Sequence, residues 1–174
     1  DVPMSFLDKY NMFKKKTKAT VSTTMFIDHT GDQLRECGHE FGATTGRPRR
    51  CGWFDVPLIR YSCDINSFTG LVMTKLDVLD TFDTIKICVA YEQNGHALSY
   101  FPSDDKQMTA CQPVYETFSG WKQSTLGVTD YSSLPENAKR YLKRIEELCE
   151  VPIVAIATGP EREAMITMPC LESV

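Results

Sequence analysis

The chain has 174 residues, 42% of them hydrophobic, and a formal net charge of −4. Its length suits one domain or a large piece of one, which buries roughly 70% of its unfolded surface and needs no disulfide or metal staple. The acidic balance excludes a global basic field for nucleic acid. Seven dispersed cysteines without a C-x-x-C pair read as reduced thiols and not as a zinc site, and no long apolar run or signal peptide is visible, so no membrane partner and a cytoplasmic setting are expected.

Residues 1–23 read as a divergent basic segment, in which Lys14, Lys15, Lys16 and Lys18 form a solvated face or a loose tail. Residues 31–37 predict a short helix with Asp32 in its first turn, Leu34 and Cys37 facing inward and Gly38 as its stop. After a long loop, Asp55 is placed to cap a second helix that has Pro57 in its first turn and runs to about Asn66. Residues 68–74 predict a buried strand, and Lys75-Leu76-Asp77 follows at its C-terminal end, where open α/β sheets bind ligands. Residues 84–91 predict another strand, and Asn94-Gly95 signals a hairpin turn. Residues 97–112 read as irregular, 114–118 as a strand and 120–132 as a loop in which Trp121 packs. Ser133-Leu-Pro-Glu136 has capping-box spacing. It opens a helix to about Cys149, with Ala138, Tyr141, Leu142, Ile145 and Leu148 as its apolar stripe and its charges as solvation. Residues 152–156 predict the last buried strand, Ala157-Thr158-Gly159-Pro160 a turn off its end, and a terminal helix begins near Glu161. Residues 169–174 read as a tail.

Two stretches carry chemistry. Residues 38–53 hold four glycines, the adjacent hydroxyls Thr44 and Thr45, and Arg47, Arg49 and Arg50. Glycines let backbone N–H groups approach an anion, and arginine forks match carboxylate and phosphate. In an extended stretch Arg47 and Arg49 point one way and Arg50 the other, with Pro48 limiting the backbone between them. A basic surface turn, or an Arg-Pro-Arg-Arg run read by nucleic acid or a protease, fits the composition as well. The second stretch is Thr74-Lys75-Leu76-Asp77. A carboxylate at a strand end can accept hydrogen bonds from the ring N–H and exocyclic amine of guanine, whereas adenine offers an acceptor there and is rejected. Lys75 can lay its stem along the purine plane. A plain structural ion pair also explains Lys-x-Asp.

Gly38-His-Glu-Phe-Gly-Ala-Thr-Thr-Gly-Arg-Pro-Arg-Arg-Cys-Gly-Trp53 closely resembles the substrate loop of the adenylosuccinate synthetase family. Asn66-Ser-Phe-Thr-Gly-Leu71, Thr74-Lys75-Leu76-Asp77-Val78-Leu79-Asp80, Pro113-Val-Tyr-Glu-Thr-Phe-Ser-Gly-Trp121, Leu134-Pro-Glu-Asn-Ala138 and Thr158-Gly159-Pro160 resemble its later blocks, in the same order. The resemblance covers about residues 24–168 and corresponds only to the C-terminal portion of the family's chain. It implies an α/β fold, the C-terminal part of a P-loop-NTPase-like mixed-sheet domain with flanking helices.

By resemblance, Ala43, Thr44, Thr45, Gly46, Arg47, Pro48 and Arg49 form the L-aspartate loop. Arg47 also faces IMP, Arg49 also reaches GTP, and both support the transition state. Lys75, Leu76 and Asp77 bind the guanine of GTP, similar to the Asn-Lys-x-Asp of GTPases with Thr74 in place of Asn. Ala157, Thr158 and Gly159 close over the base, with Ala157 where the family often has Ser. The implied reaction is a GTP-dependent ligation of L-aspartate to IMP, giving adenylosuccinate for AMP synthesis, with Mg²⁺ as cofactor and a homodimer as the assembly. The family's glycine-rich phosphate loop and its catalytic Asp and His lie in an N-terminal part not found in these residues. No catalytic residue is therefore assigned here, His39 is given a structural role, and the chain alone is expected to be inactive, as a fragment or the product of an altered transcript. The alternative is a non-catalytic module that binds a purine nucleotide or a partner.

Overall fold

The computed structural model describes residues 29–98, 101–102 and 104–168. The basic segment 1–23 and the tail 169–174 lie outside the described residues. In chain order the elements are α1 His29–Cys37, β1 Phe54–Asp55, α2 Val56–Asn66, β2 Leu71–Met73, β3 Thr84–Gln93, β4 His96–Ala97, α3 Asp105–Ala110, β5 Gln112–Ser119, α4 Glu136–Cys149, β6 Ile153–Ala157 and β7 Met165–Thr167. Short 3-10 turns occupy Leu76–Leu79 and Tyr131–Ser133.

The strands of the described residues form two sheets. In the first, β3 pairs with β1 in parallel and with β5 and β4 antiparallel. In the second, β6 lies between β2, which is parallel to it, and β7, which is antiparallel. The register of β2 on β6 matters most for the site. Met73 faces Ile156, so both strands end together and release residues 74–77 and 157–159 at the same edge.

Local chemistry explains most boundaries. Asp55 caps α2 by accepting from the Leu58 amide at 3.0 Å, with Pro57 in the first turn, where its missing N–H costs nothing. The other Asp55 oxygen accepts from the Tyr91 hydroxyl, which ties β1 to β3. Asn94 and Gly95 both have positive φ, 53° and 78°, as a tight hairpin turn between β3 and β4 demands. The core gathers on the inner faces of β3 and α4. Ile85, Ile87, Ala138 and Ile145 have no exposed surface, and each isoleucine contributes about 1.5–3 kcal/mol of burial. Trp53 packs edge-on against Phe82 at 5.6 Å and anchors the exit of the arginine loop.

Several expectations are corrected. The stop of α1 is His39 (φ 50°) and not Gly38; the Glu40 amide bonds back to Arg35 O at 2.9 Å, the wrapped pattern of a left-handed helix end. Cys37 is exposed, one step off the buried stripe of Leu34. The strand expected over 68–74 is shorter, 71–73. The stretch 97–112 contains α3, because Asp104 accepts from the amides of Lys106 and Gln107 at 2.7 and 3.3 Å and Met108 is buried beneath it. Ser133 does not cap α4; Pro135 holds the cap position, and Ser133 belongs to a 3-10 turn capped by Asp130. Not all the α4 charges are solvation: Arg144 donates to Glu116 at 3.0 Å, and Glu146 accepts from the Ile153 amide at 2.7 Å. No terminal helix begins at Glu161. A turn closed by Ala164 N to Glu161 O at 3.1 Å leads into β7 instead. The alternation exposed Met165, buried Ile166, exposed Thr167 suits a strand on β6 and not a helical face.

Candidate functional site

The arginine loop leaves α1 at His39 and returns as a hairpin. Phe41 and Pro48 form an isolated antiparallel bridge. The Gly42 amide donates to Arg47 O, and the Gly46 amide to Gly42 O, each at 2.8 Å. Gly46 takes φ 62°, a conformation open to it because it has no Cβ. Those two glycine amides are thus spent inside the turn. Ala43, Thr44, Thr45, Gly46, Arg47 and Pro48 are exposed at the tip, while Arg49 is half-buried. Arg47 and Arg49 are not displayed alike. Among the described residues Arg47 has no ion pair, whereas Arg49 is drawn onto Glu40 at 2.8 Å. Arg35 Nε bonds Arg49 O at 2.8 Å and fixes the loop's root to α1.

Lys75 turns the chain out of β2 in the left-handed region, φ 62°. Its ammonium donates to Gly38 O at 2.6 Å and to the Glu40 carboxylate. Glu40 therefore sits between Lys75 and Arg49. Burial alone would raise its pKa, but the bonds from Lys75 and then Arg49 outweigh burial and hold the carboxyl below the usual range. Leu76, 2% exposed, pins the 3-10 turn to the core.

Asp77 stands on that turn with the opposite electrostatics. Its Oδ1 is buried and has no hydrogen-bond partner among the described residues. Burial pushes its carboxyl up, and the nearby Asp80 carboxylate adds to that, against opposing backbone amides and Lys75. A buried carboxylate oxygen without a donor is costly to a native fold and calls for an explanation. The 157–159 turn leaves the same sheet edge. Thr158 is fully buried, its hydroxyl donates to Val128 O at 2.8 Å and its amide to Ala164 O at 2.9 Å. The Thr158 side chain is thus committed to the fold, and half-buried Ala157 and Gly159 flank it. An open pocket of about 450 Å³ borders Asp77, with Val78, Asp80, Ser124 and Leu126 among its walls.

A model of the adenylosuccinate synthetase family matches residues 12–166. The chain belongs to the adenylosuccinate synthetase family. It is 52% identical over 140 residues to the adenylosuccinate synthetase of Trichlorobacter lovleyi, covering 80% of this chain and 33% of that protein. It is 53% identical over 146 residues to that of Pasteurella multocida, covering 83% of this chain and 34% of the relative. The solved structure of a fully ligated adenylosuccinate synthetase from Plasmodium falciparum superposes with a TM-score of 0.82 at 42% identity, over 84% of this chain and 36% of that one. The chain thus spans about a third of the length of the synthetases it matches. Its fold is part of the family's P-loop-NTPase-like α/β architecture.

Three members of the site escaped the sequence reading. Glu40 was visible as the last carboxylate before the arginines, but its partner Lys75 lies across the fold. Asp80 closes the Thr74–Asp80 block without a chemical signature of its own. The loop 122–127 carried no motif at all. The described residues hold no cluster of three His, Cys, Asp or Glu side chains able to bind a metal ion, and no step is assigned through Mg²⁺.

Proposed function

We propose that this chain carries the guanine-reading edge and the aspartate/IMP loop of a GTP-dependent synthetase that ligates L-aspartate to IMP, giving adenylosuccinate. The observation that carries the reading is the unpaired, buried Oδ1 of Asp77, released at the same sheet edge as the 157–159 turn. Guanine supplies two donors to such a carboxylate, each charged hydrogen bond being worth about 1.5–3 kcal/mol. Adenine presents a lone pair in the same place. Lys75 lies beside Asp77, with its stem available to the purine plane. Across the Glu40 bridge, the exposed Thr44, Thr45 and Arg47 offer hydroxyl and guanidinium donors to the carboxylates of aspartate, and Arg47 with Arg49 would steady charge on the transferring phosphoryl group.

The reaction class is phosphoryl transfer from GTP to the 6-oxygen of IMP, followed by displacement of that phosphate by the amine of aspartate. The residues here bind and orient. A glycine-rich phosphate loop of the G-x-x-x-x-G-K-[ST] type does not occur in this sequence, so we assign the chemical steps to the complete enzyme, a cytoplasmic homodimer on this reading. A second reading of the same Asp77 site is a module that binds a purine nucleotide or a partner without turnover.

Equilibrium binding of GDP and ADP to this chain, at two salt concentrations, tests the base-reading site. A clear preference for GDP at both is expected. Equal affinity for the two, or binding of neither, overturns the claim that the base site is formed in these residues. A preference that survives salt also removes a nucleic-acid-like phosphate contact as its source, since such contacts weaken as counterions compete.

A further inference from the structure

Residues 122–127 form a loop to which the reading above gives no role, and two anchors hold it. On one side Asp80, three residues after Asp77, accepts from the Trp121 indole N–H at 2.6 Å, the Thr125 amide at 2.7 Å and the Thr125 hydroxyl at 2.9 Å. On the other side the Gly127 amide donates to Thr158 O at 3.2 Å, next to the Thr158 hydroxyl bond to Val128 O. Thr125 and Thr158 are both fully buried. Between the anchors Leu126 is 60% exposed. It reaches over Gly159, where an added Cβ would come within 3.0 Å of Leu126 Cδ1, and it lines the same pocket as Asp77.

A single large apolar side chain at a surface is ordinary; Leu126 differs in where it is held. Here the flanking backbone is fixed by bonds to Asp80, which lines the pocket, and to Thr158 in the turn off β6. A purine offers two surfaces: a polar edge and an apolar face. Asp77 suits the edge; the 157–159 turn, expected to close over the base, offers only backbone and small side chains at Ala157 and Gly159, and Leu126 Cδ1 lies against that Gly159.

We propose that Leu126 is a binding residue for the face of the purine base, and that Asp80 is the positioning residue that holds it there. The inference rests on the reading of Asp77 as the base-reading carboxylate. The face contact does not distinguish guanine from adenine, so it contributes affinity while Asp77 contributes selectivity.

The test is titration of this chain with GDP and ADP, followed by amide NMR shifts, in the wild type and in Leu126→Ser, Leu126→Met, Asp80→Asn and the Leu126→Ser/Asp80→Asn double variant. Leu126→Ser should weaken GDP about fivefold, the loss expected for roughly 40 Å² of apolar contact. It should weaken ADP by the same factor. Leu126→Met should restore GDP affinity to within about twofold, because it conserves volume. Asp80→Asn should also weaken GDP, and the double variant should be no weaker than the worse single variant, the non-additivity of two residues acting as one unit. Unchanged GDP affinity in Leu126→Ser, with the wild-type preference for GDP intact, overturns the role of Leu126 and leaves the Asp77 reading standing. Fully additive losses in the double variant overturn the positioning role of Asp80. A wild type without preference for GDP overturns both the Asp77 reading and the inference built on it.

Discussion

Glu40 and Lys75 stand 35 residues apart in the chain and share an ion pair, and the same Glu40 carboxylate holds Arg49 at 2.8 Å. One side chain thereby joins the arginine loop to the Lys-x-Asp turn. Glu40→Ala should destabilise the chain by about 1–2 kcal/mol, since charged hydrogen bonds are strong but these are partly exposed and screened. The folded pKa of Glu40 is depressed. Its contribution is therefore present above the unfolded glutamate range and is lost as pH falls through the folded value. Urea denaturation of wild type and variant across acid pH should show the stability difference shrinking on acidification; a difference that grows would contradict the ion-pair account.

Asp77 should behave in the opposite sense. Its folded pKa is raised, so the stability linked to it is fully present below the unfolded aspartate pKa and is lost as pH rises through the folded value. Asp77→Ala should thus gain stability relative to wild type as pH rises from about 3 to 7. The same variant should lose GDP affinity and narrow the preference over ADP. Unchanged base selectivity would sink the assignment of Asp77.

Arg47 offers a separation of function from stability. It is exposed at the loop tip and has no ion pair among the described residues. Arg47→Ala should move Tm by less than about 2 °C, as surface changes away from packed contacts do. In a complete synthetase carrying these residues it should lower turnover by about two to three orders of magnitude, the scale seen when one transition-state donor is removed. Near-normal steady-state kinetics would refute the role given to it.

Gly120 is set by space. An added Cβ would lie 1.8 Å from the Phe82 carbonyl oxygen. The Gly120 amide also donates to Asp83 O at 2.8 Å, and its own carbonyl accepts from Asn137 at 2.9 Å. Backbone must shift to admit a methyl group, so Gly120→Ala should cost roughly 3 kcal/mol or more in chemical denaturation. A loss at or below about 1 kcal/mol, the bottom of the overpacking range, would mean that the backbone here yields more readily than its two bonds suggest.

The elements with local causes were legible in the sequence. Asp55 and Pro57 announced α2, Asn94-Gly95 announced the β3–β4 turn, and the apolar spacing of Ala138, Tyr141, Leu142 and Ile145 announced α4. The failures share a cause. Ser133 and Glu136 have the spacing of a cap, but Asp130 takes that chain segment into a 3-10 turn first. Residues 165–167 become a strand only because β6 offers them a free edge. In the candidate site, the arginine loop and the Lys-x-Asp turn are marked by motif, whereas Glu40 and Asp80 act through partners 35 and 41 to 45 residues away, and no local pattern encodes such pairs.

The parallel pairing of β2 with β6 has a consequence for how the chain comes into being. Residues 71–73 find their neighbour only at 153–156, a long-range closure that must precede its reward and is slow in proportion. During synthesis the Lys75–Asp77 turn leaves the ribosome well before the strand that aligns the opposite wall. A nascent chain can complete the helix α2 and the β3–β5 pairings while the edge that carries Lys75 and Asp77 still has only one side. The edge proposed to read the base therefore gains its second side only at the end of translation of this segment, together with its last strands.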